Sequence, residues 1–262
     1  MRVIVRKTYQ EMSDAAAQLV KDRISKKKNF VLGLATGSSP LGLYKRLIEM
    51  NKAGEMSFKN VRTFNLDEYY GLEPTHDQSY RYFMNVNLFD HIDIDKKNTF
   101  VPDGLAKDTE KACAWYEEEM KKAGGVDLQV LGIGSDGHIG FNEPGSSLAS
   151  RTRLVALDEQ TIQDNARFFA QASDVPRFAV SMGVGTVLEA KEILFVINGK
   201  KKAEITAKAL EGPVTSLISA TGMQFHQRVT VFLDEEAAGA LKRVNYYRFA
   251  EQAEKQIGKE IY

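Results

Sequence analysis

The sequence predicts an α/β protein, a mainly parallel sheet with helices on both faces, and three features carry that prediction. Short apolar, β-rich runs recur almost from end to end, amphipathic stretches lie between them, and no linker rich in proline, glycine or serine divides the 262 residues. Alternation of this kind implies right-handed βαβ units. With no repeat and no linker, one domain over 1–262 is expected.

The first strand is expected at 3–5, and the apolar spacing of 12–24 predicts the helix after it. The run F-V-L-G-L at 30–34 reads as a buried strand. Pro40 suits the first turn of a helix over 41–50, and a third strand follows at 61–66. Farther on, 109–121 reads as an acidic amphipathic helix and 126–131 as a buried strand. A helix at 159–169, with Phe168 and Phe169 turned to a core, precedes strands at 178–181 and 193–197. A helix at 202–210 and a strand at 229–233 complete the pattern.

Lysine plus arginine number 35, as do aspartate plus glutamate, so the net charge is zero. That balance argues against a nucleic-acid or membrane-surface protein. The basic runs at 26–28 and 200–202 read as solvated helix ends. Cys113 is the one cysteine, so no internal disulfide forms and a reducing compartment is expected. Its acidic, helical surroundings suggest a packed thiol. The segment 1–7 has no signal-peptide core and no apolar run is long enough to span a bilayer, so a cytoplasmic protein is expected.

Residues 132–144 read G-I-G-S-D-G-H-I-G-F-N-E-P, directly after an expected strand. Here Asp136, His138 and Glu143 sit among glycines, which let the backbone turn sharply beside a small ligand. An imidazole between two carboxylates passes protons both ways near neutral pH. In parallel sheets ligands gather outside the carboxyl ends of the strands. Three polar segments fall at such ends: 36–40, 67–71 and 132–144. Thr36, Gly37, Ser38 and Ser39 open a helix, where backbone N–H groups and the helix dipole favour an anion. The competing reading is N-capping by Ser38 or Ser39. At 65–70 the adjacent acids Asp67 and Glu68 close the third strand and point apart, so one faces the ligand while the other caps or pairs.

Two other readings compete for the central motif. Residues 132–137 fit G-x-G-x-x-G, and Asp158 lies about twenty residues on, as in a dinucleotide site. Gly140, Pro144 and Gly145 break the helix that such a site needs. Asp136 and His138 also offer two metal ligands, but His76, His91 and His226 show no ligand spacing around them. Metal-free acid–base chemistry is the simpler expectation. No Walker A pattern occurs. Arg167 and Lys202 read as surface charges from pattern alone, and an anion at 36–39 would give them a partner.

The motifs A-T-G-S-S-P at 35–40, F-N-L-D-E-Y at 64–69, G-S-D-G-H-I-G-F-N-E-P at 134–144 and S-S-L-A-S-R-T-R at 146–153 resemble those of the glucosamine-6-phosphate deaminase family. The resemblance runs from about Val3 to Leu233, nearly the whole chain. It implies a Rossmann-like, doubly wound fold, no metal or organic cofactor, a sugar-phosphate substrate and a homo-oligomer. It further implies that Asp67 moves a proton between C2 and C1, and that His138 opens the sugar ring with Asp136 and Glu143 holding it. Thr36, Gly37, Ser38, Ser39, Gly137, Arg167 and Lys202 would bind the substrate and its phosphate, beneath a lid around 151–177. The expected activity is isomerising deamination of glucosamine 6-phosphate to fructose 6-phosphate and ammonia in amino-sugar catabolism. The alternatives are a 6-phosphogluconolactonase-like hydrolase of the same fold and a non-catalytic sugar-phosphate sensor.

One departure concerns regulation. Some bacterial members are activated by N-acetylglucosamine 6-phosphate through a serine and an R-x-K pattern. Ser146 and Arg153 match, whereas Val155 stands at the lysine position. Activation is therefore expected to be reduced or absent.

Overall fold

Apolar runs bounded by turn-formers become strands, and the stretches between them become helices. The computed structural model describes residues 1–167, 169 and 171–260. Along the chain lie β1 (Arg2–Arg6), α1 (Tyr9–Ser25), β2 (Val31–Leu34), α2 (Leu41–Lys52), β3 (Arg62–Asn65), β4 (Asp67–Tyr69) and α3 (Tyr80–Asn87). There follow β5 (Thr99–Phe100), α4 (Thr109–Lys122), β6 (Leu128–Leu131), β7 (Arg153–Ala156), α5 (Glu159–Ala166) and β8 (Phe178–Ser181). The last elements are α6 (Val184–Leu188), β9 (Ile193–Ile197), α7 (Ala203–Glu211), β10 (Val229–Asp234) and α8 (Val244–Ile257).

Seven strands pair in parallel in the order β1-β10-β9-β6-β2-β3-β5. Every residue of β2, β6, β9 and β10 is buried, as a sheet covered on both faces requires. Met12 and Val20 of α1, Leu43 and Leu47 of α2 and Met84 of α3 pack on one face. Tyr116 of α4, Val187 of α6 and Ile205 of α7 pack on the other. The α/β, doubly wound expectation holds. From β2 the chain adds β3 and β5 on one side, then returns to add β6, β9 and β10 on the other. The loops after β2 and β6 therefore diverge and leave a crevice between them.

A second, antiparallel sheet, β4-β8-β7, departs from the sequence reading. Residues 178–181 form a strand as expected, but it belongs to this small sheet and not to the parallel one. The expected strand at 61–66 is two pieces: β3 stays in the large sheet, and after Leu66 the chain enters the small one as β4. Leu66 donates its N–H to Leu34 O (3.1 Å) and accepts from Met182 N (2.7 Å), so it is tied to both sheets. The segment read as a lid carries β7 and α5, with β7 held by β8 along its length.

Several bounds shift at helix ends. The expected helix at 159–169 ends at Ala166 with Arg167 as its C-cap, and Phe168 lies outside the described residues. Lys202 is the N-cap of α7, one residue outside the helix. α3, α6, α8 and the short β4, β5 and β7 were not anticipated. Among the described residues no helix is long and apolar enough to cross a membrane.

Candidate active site

The loop after β6 closes on itself before it leaves the sheet. Gly134 donates its N–H to His138 O (2.8 Å), and Gly137, at φ 95°, completes the turn. The imidazole then lies against Gly134: a Cβ there would stand 2.5 Å from His138 Nε2. Only glycine leaves room for the ring. Asn142 secures the far side of the loop, donating to Ile139 O and Met182 O, each at 2.8 Å. No helix follows Gly137; residues 138–152 are turns and irregular backbone, which removes the dinucleotide reading.

Folded this way, His138 Nδ1 lies 2.8 Å from Asp136 Oδ1 and 3.4 Å from Glu143 Oε2. Both contacts are charge pairs, not aligned hydrogen bonds, because His138 Nδ1 and Glu143 Oε2 have no hydrogen-bond partner. Burial acts to lower the imidazole's proton affinity, but the two carboxylates outweigh it and the pKa is pushed up to about 9. Burial acts to raise Asp136 and Glu143, but His138 together with nearby hydrogen-bond donors lowers both, and both end below their ordinary values. Thr161 and the Asp158 N–H, at the start of α5, also hold Glu143. The three donor atoms lie within 4.8 Å of one another, so this is also where a cation would fit.

Asp67 begins β4, opposite Ser181. Ser181 Oγ accepts from Phe141 N (3.1 Å), and a Cβ on Gly140 would lie 3.3 Å from Asp67 Oδ2. The acid is thus brought against the loop that carries His138. It is 5% exposed, and its Oδ1 has no hydrogen-bond partner. Burial first, then repulsion from Glu68, pushes its pKa up to about 7 against the opposing pull of His138. A carboxylate so poised takes or gives a proton near neutral pH.

The loop at 36–39 stands across the crevice. Neither serine caps α2: its N-cap is Pro40, with no side-chain cap bond, and Ser39 Oγ donates instead to Asn198 Oδ1 (2.8 Å). That favours the anion reading over N-capping. Lys202 Nζ donates to Ile133 O (2.9 Å), which brings this cation to the same rim. Arg167 is exposed at the end of α5. Gly137 commits its N–H to Gly134 O and its C=O to Ala220 N, so what it supplies is the turn. Arg153 donates to Ser146 Oγ (3.3 Å) and Asn142 Oδ1 (3.0 Å), and Val155 packs on the small aromatic cluster of Tyr69 and Phe141. Cys113 is buried on α4, as expected of a packed thiol.

Sequence reasoning missed Tyr80 and the spatial role of Gly134. Tyr80 packs against Tyr69 (5.0 Å between centroids), stacks on Phe141 (5.8 Å between centroids, 8° between planes) and brings its hydroxyl beside Thr36. The signal available was Ser79, which caps α3.

A family model described as glucosamine-6-phosphate isomerases/6-phosphogluconolactonase matches residues 5–231. A glucosamine-6-phosphate deaminase of Thermoanaerobacter sp. (strain X514) is 53% identical over 241 residues, 92% of this chain and 95% of that protein. A solved structure of a monomeric glucosamine-6-phosphate deaminase is 46% identical with a TM-score of 0.89, covering 92% of this chain and all of that one. The 6-phosphogluconolactonase of Trypanosoma brucei has a TM-score of 0.73 at 21% identity over 92% of this chain and 98% of that one, a likeness of fold alone.

The geometry around His138 generates a titration prediction. The folded imidazole, at about 9, holds its proton more tightly than the ordinary value of 6.5. Its stabilising contribution is therefore complete below pH 6.5 and is lost as the pH rises through about 9. An NMR titration of the His138 ring should show a midpoint near 9, falling in both Asp136→Asn and Glu143→Gln. A midpoint near 6.5 in the unsubstituted protein contradicts this electrostatic account.

Proposed function

The chain belongs to the glucosamine-6-phosphate isomerase/6-phosphogluconolactonase family, and we propose that it is a glucosamine-6-phosphate deaminase. The observation that carries this reading is the meeting of two differently perturbed proton carriers in one crevice, a buried Asp67 and a His138 held by two acids. The reaction yields fructose 6-phosphate and ammonia, and it serves amino-sugar catabolism.

The two carriers suit its two proton tasks. Ring opening needs a donor at the ring oxygen and an acceptor at the anomeric hydroxyl, which one imidazole serves in turn. Asp136 and Glu143 orient that imidazole and stabilise its charged form. Asp67 next removes the C2 proton to give an enolamine. Protonation at C1 leaves an imine at C2, and water adds there as ammonia departs. Each step is complete in protons and water. The phosphate would lie in the 36–39 loop, against the N-terminus of α2, with Lys202 and Arg167 supplying charge.

Ammonia release from glucosamine 6-phosphate and its C4 epimer tests the reading, and hydrolysis of 6-phosphogluconolactone without ammonia release would favour the lactonase. Asp67→Asn should abolish solvent-deuterium exchange at C2, while His138→Gln should chiefly impair turnover of the cyclic substrate. Undiminished exchange in the Asp67 variant contradicts the assignment.

Ser146 and Arg153 form the remnant of an activator site that lacks the lysine, and Arg153 spends its guanidinium on Asn142 as well. Saturation curves with and without N-acetylglucosamine 6-phosphate should superimpose or shift little. A large leftward shift overturns this part.

A homo-oligomer belongs to the same proposal, although the solved relative is described as monomeric. Tyr246, Phe249 and Ile257 support it, because they lie exposed along one side of α8. Sedimentation should give a multiple of 29.3 kDa, and a lone 29.3 kDa species at micromolar concentration refutes it.

A further inference from the structure

Glu68 has no part in the reaction as written, yet it is 4% exposed. Its carboxylate accepts N–H bonds from Tyr69 (2.9 Å), Tyr80 (2.8 Å) and Arg81 (2.9 Å). Tyr80 and Arg81 are the first residues of α3, and Ser79 is its N-cap. The acid therefore occupies the positive end of a helix dipole, where a buried negative charge is tolerated.

What the cap holds is Tyr80. Its hydroxyl lies beside Thr36 on the loop after β2 and Tyr69 on β4. Its ring lies 5.0 Å from that of Tyr69 and 5.8 Å from that of Phe141, on the loop after β6. One side chain thus touches the phosphate loop, the strand of the base and the ring-opening loop.

We propose that Glu68 is a positioning residue: by capping α3 it fixes Tyr80 as a strut that keeps these three segments in register. The inference rests on the deaminase reading. The strand geometry explains why adjacent acids are needed. Asp67 and Glu68 point to opposite sides of β4, so one faces the crevice while the other reaches α3. Glutamine at position 68 would replace one of the two accepting oxygens with an amide NH2 and leave at least one of the three N–H donors unpaired. Glu68 also leaves an electrostatic mark on Asp67, because its charge raises that group after burial does. The other titratable groups facing Asp67 are His138 and the phenols of Tyr69, Tyr80 and Tyr116. Arg81 faces Glu68.

The test is the pH dependence of ammonia release by Glu68→Gln, with Tyr80→Phe beside it. Glu68→Gln should lower kcat by about 10- to 100-fold through misplacement of the reacting groups. It should also move the acidic limb of kcat/KM to lower pH, since Asp67 loses a neighbouring negative charge. Tyr80→Phe keeps the ring and loses the hydroxyl beside Thr36, so KM should rise several-fold with the acidic limb unmoved. If Glu68→Gln only lowers the melting temperature, with the limb and the constants per folded enzyme unchanged, the proposal fails. Should that variant not fold, an unchanged KM in Tyr80→Phe overturns it equally. Absence of ammonia release by the unsubstituted protein would instead sink the deaminase reading.

Discussion

The divergence of the chain between β2 and β6 is the constraint on which the site depends. Neighbouring strands in a parallel sheet normally send their following loops the same way, and those loops fill the space above the strand ends. Here the chain after β2 leads through α2 to β3 on one side, while the chain after β6 passes through the small sheet before β9 pairs with β6 on the other. The position of the gap between them is set by strand order. The crevice is thus a property of topology. Side-chain chemistry only furnishes its walls.

Within those walls a single physical fact, removal from water, acts on the acid and the imidazole with different results. Asp67 has lost solvent and gained no hydrogen bond at Oδ1, so its neutral form is favoured and the pKa rises to about 7. His138 has lost solvent too, which alone would favour its neutral form, but Asp136 and Glu143 restore the charge and carry it to about 9. The difference lies in company: two opposite charges for the imidazole, but for the acid one like charge that outweighs the single opposite one. Near neutral pH the site therefore favours a charged imidazolium and a partly protonated carboxyl, whereas in water the imidazole would be mostly neutral and the carboxyl ionised.

The sequence made some of this legible and hid the rest for physical reasons. The strands of the large sheet are buried on both faces and read as apolar runs. The imidazole and its two acids lie within eight residues, so glycine spacing alone suggested that they meet. The small sheet was invisible because β4 has three residues and its partners lie far along the chain. β7 shows only a weak half-buried alternation. The helix α3 is eight residues long, too short for its apolar positions to repeat along the sequence, and Tyr80 was missed with it. Even the role of Gly134 was only half visible. Its pattern suggested a turn, while the imidazole resting against its Cα became apparent only in three dimensions.

Leu66 is bonded to β2 on one side and to the Met182 N–H, just after β8, on the other. It thus joins the two sheets one residue before Asp67. If the small sheet rocks against the large one, displacement grows with distance from that junction, as along any lever. α5 would travel farther than β7, whose start is held to Glu117 of α4 through Thr152. Asp67, one residue from the fulcrum, would scarcely move, so the crevice could admit or release a bulky guest without shifting the acid from its working place.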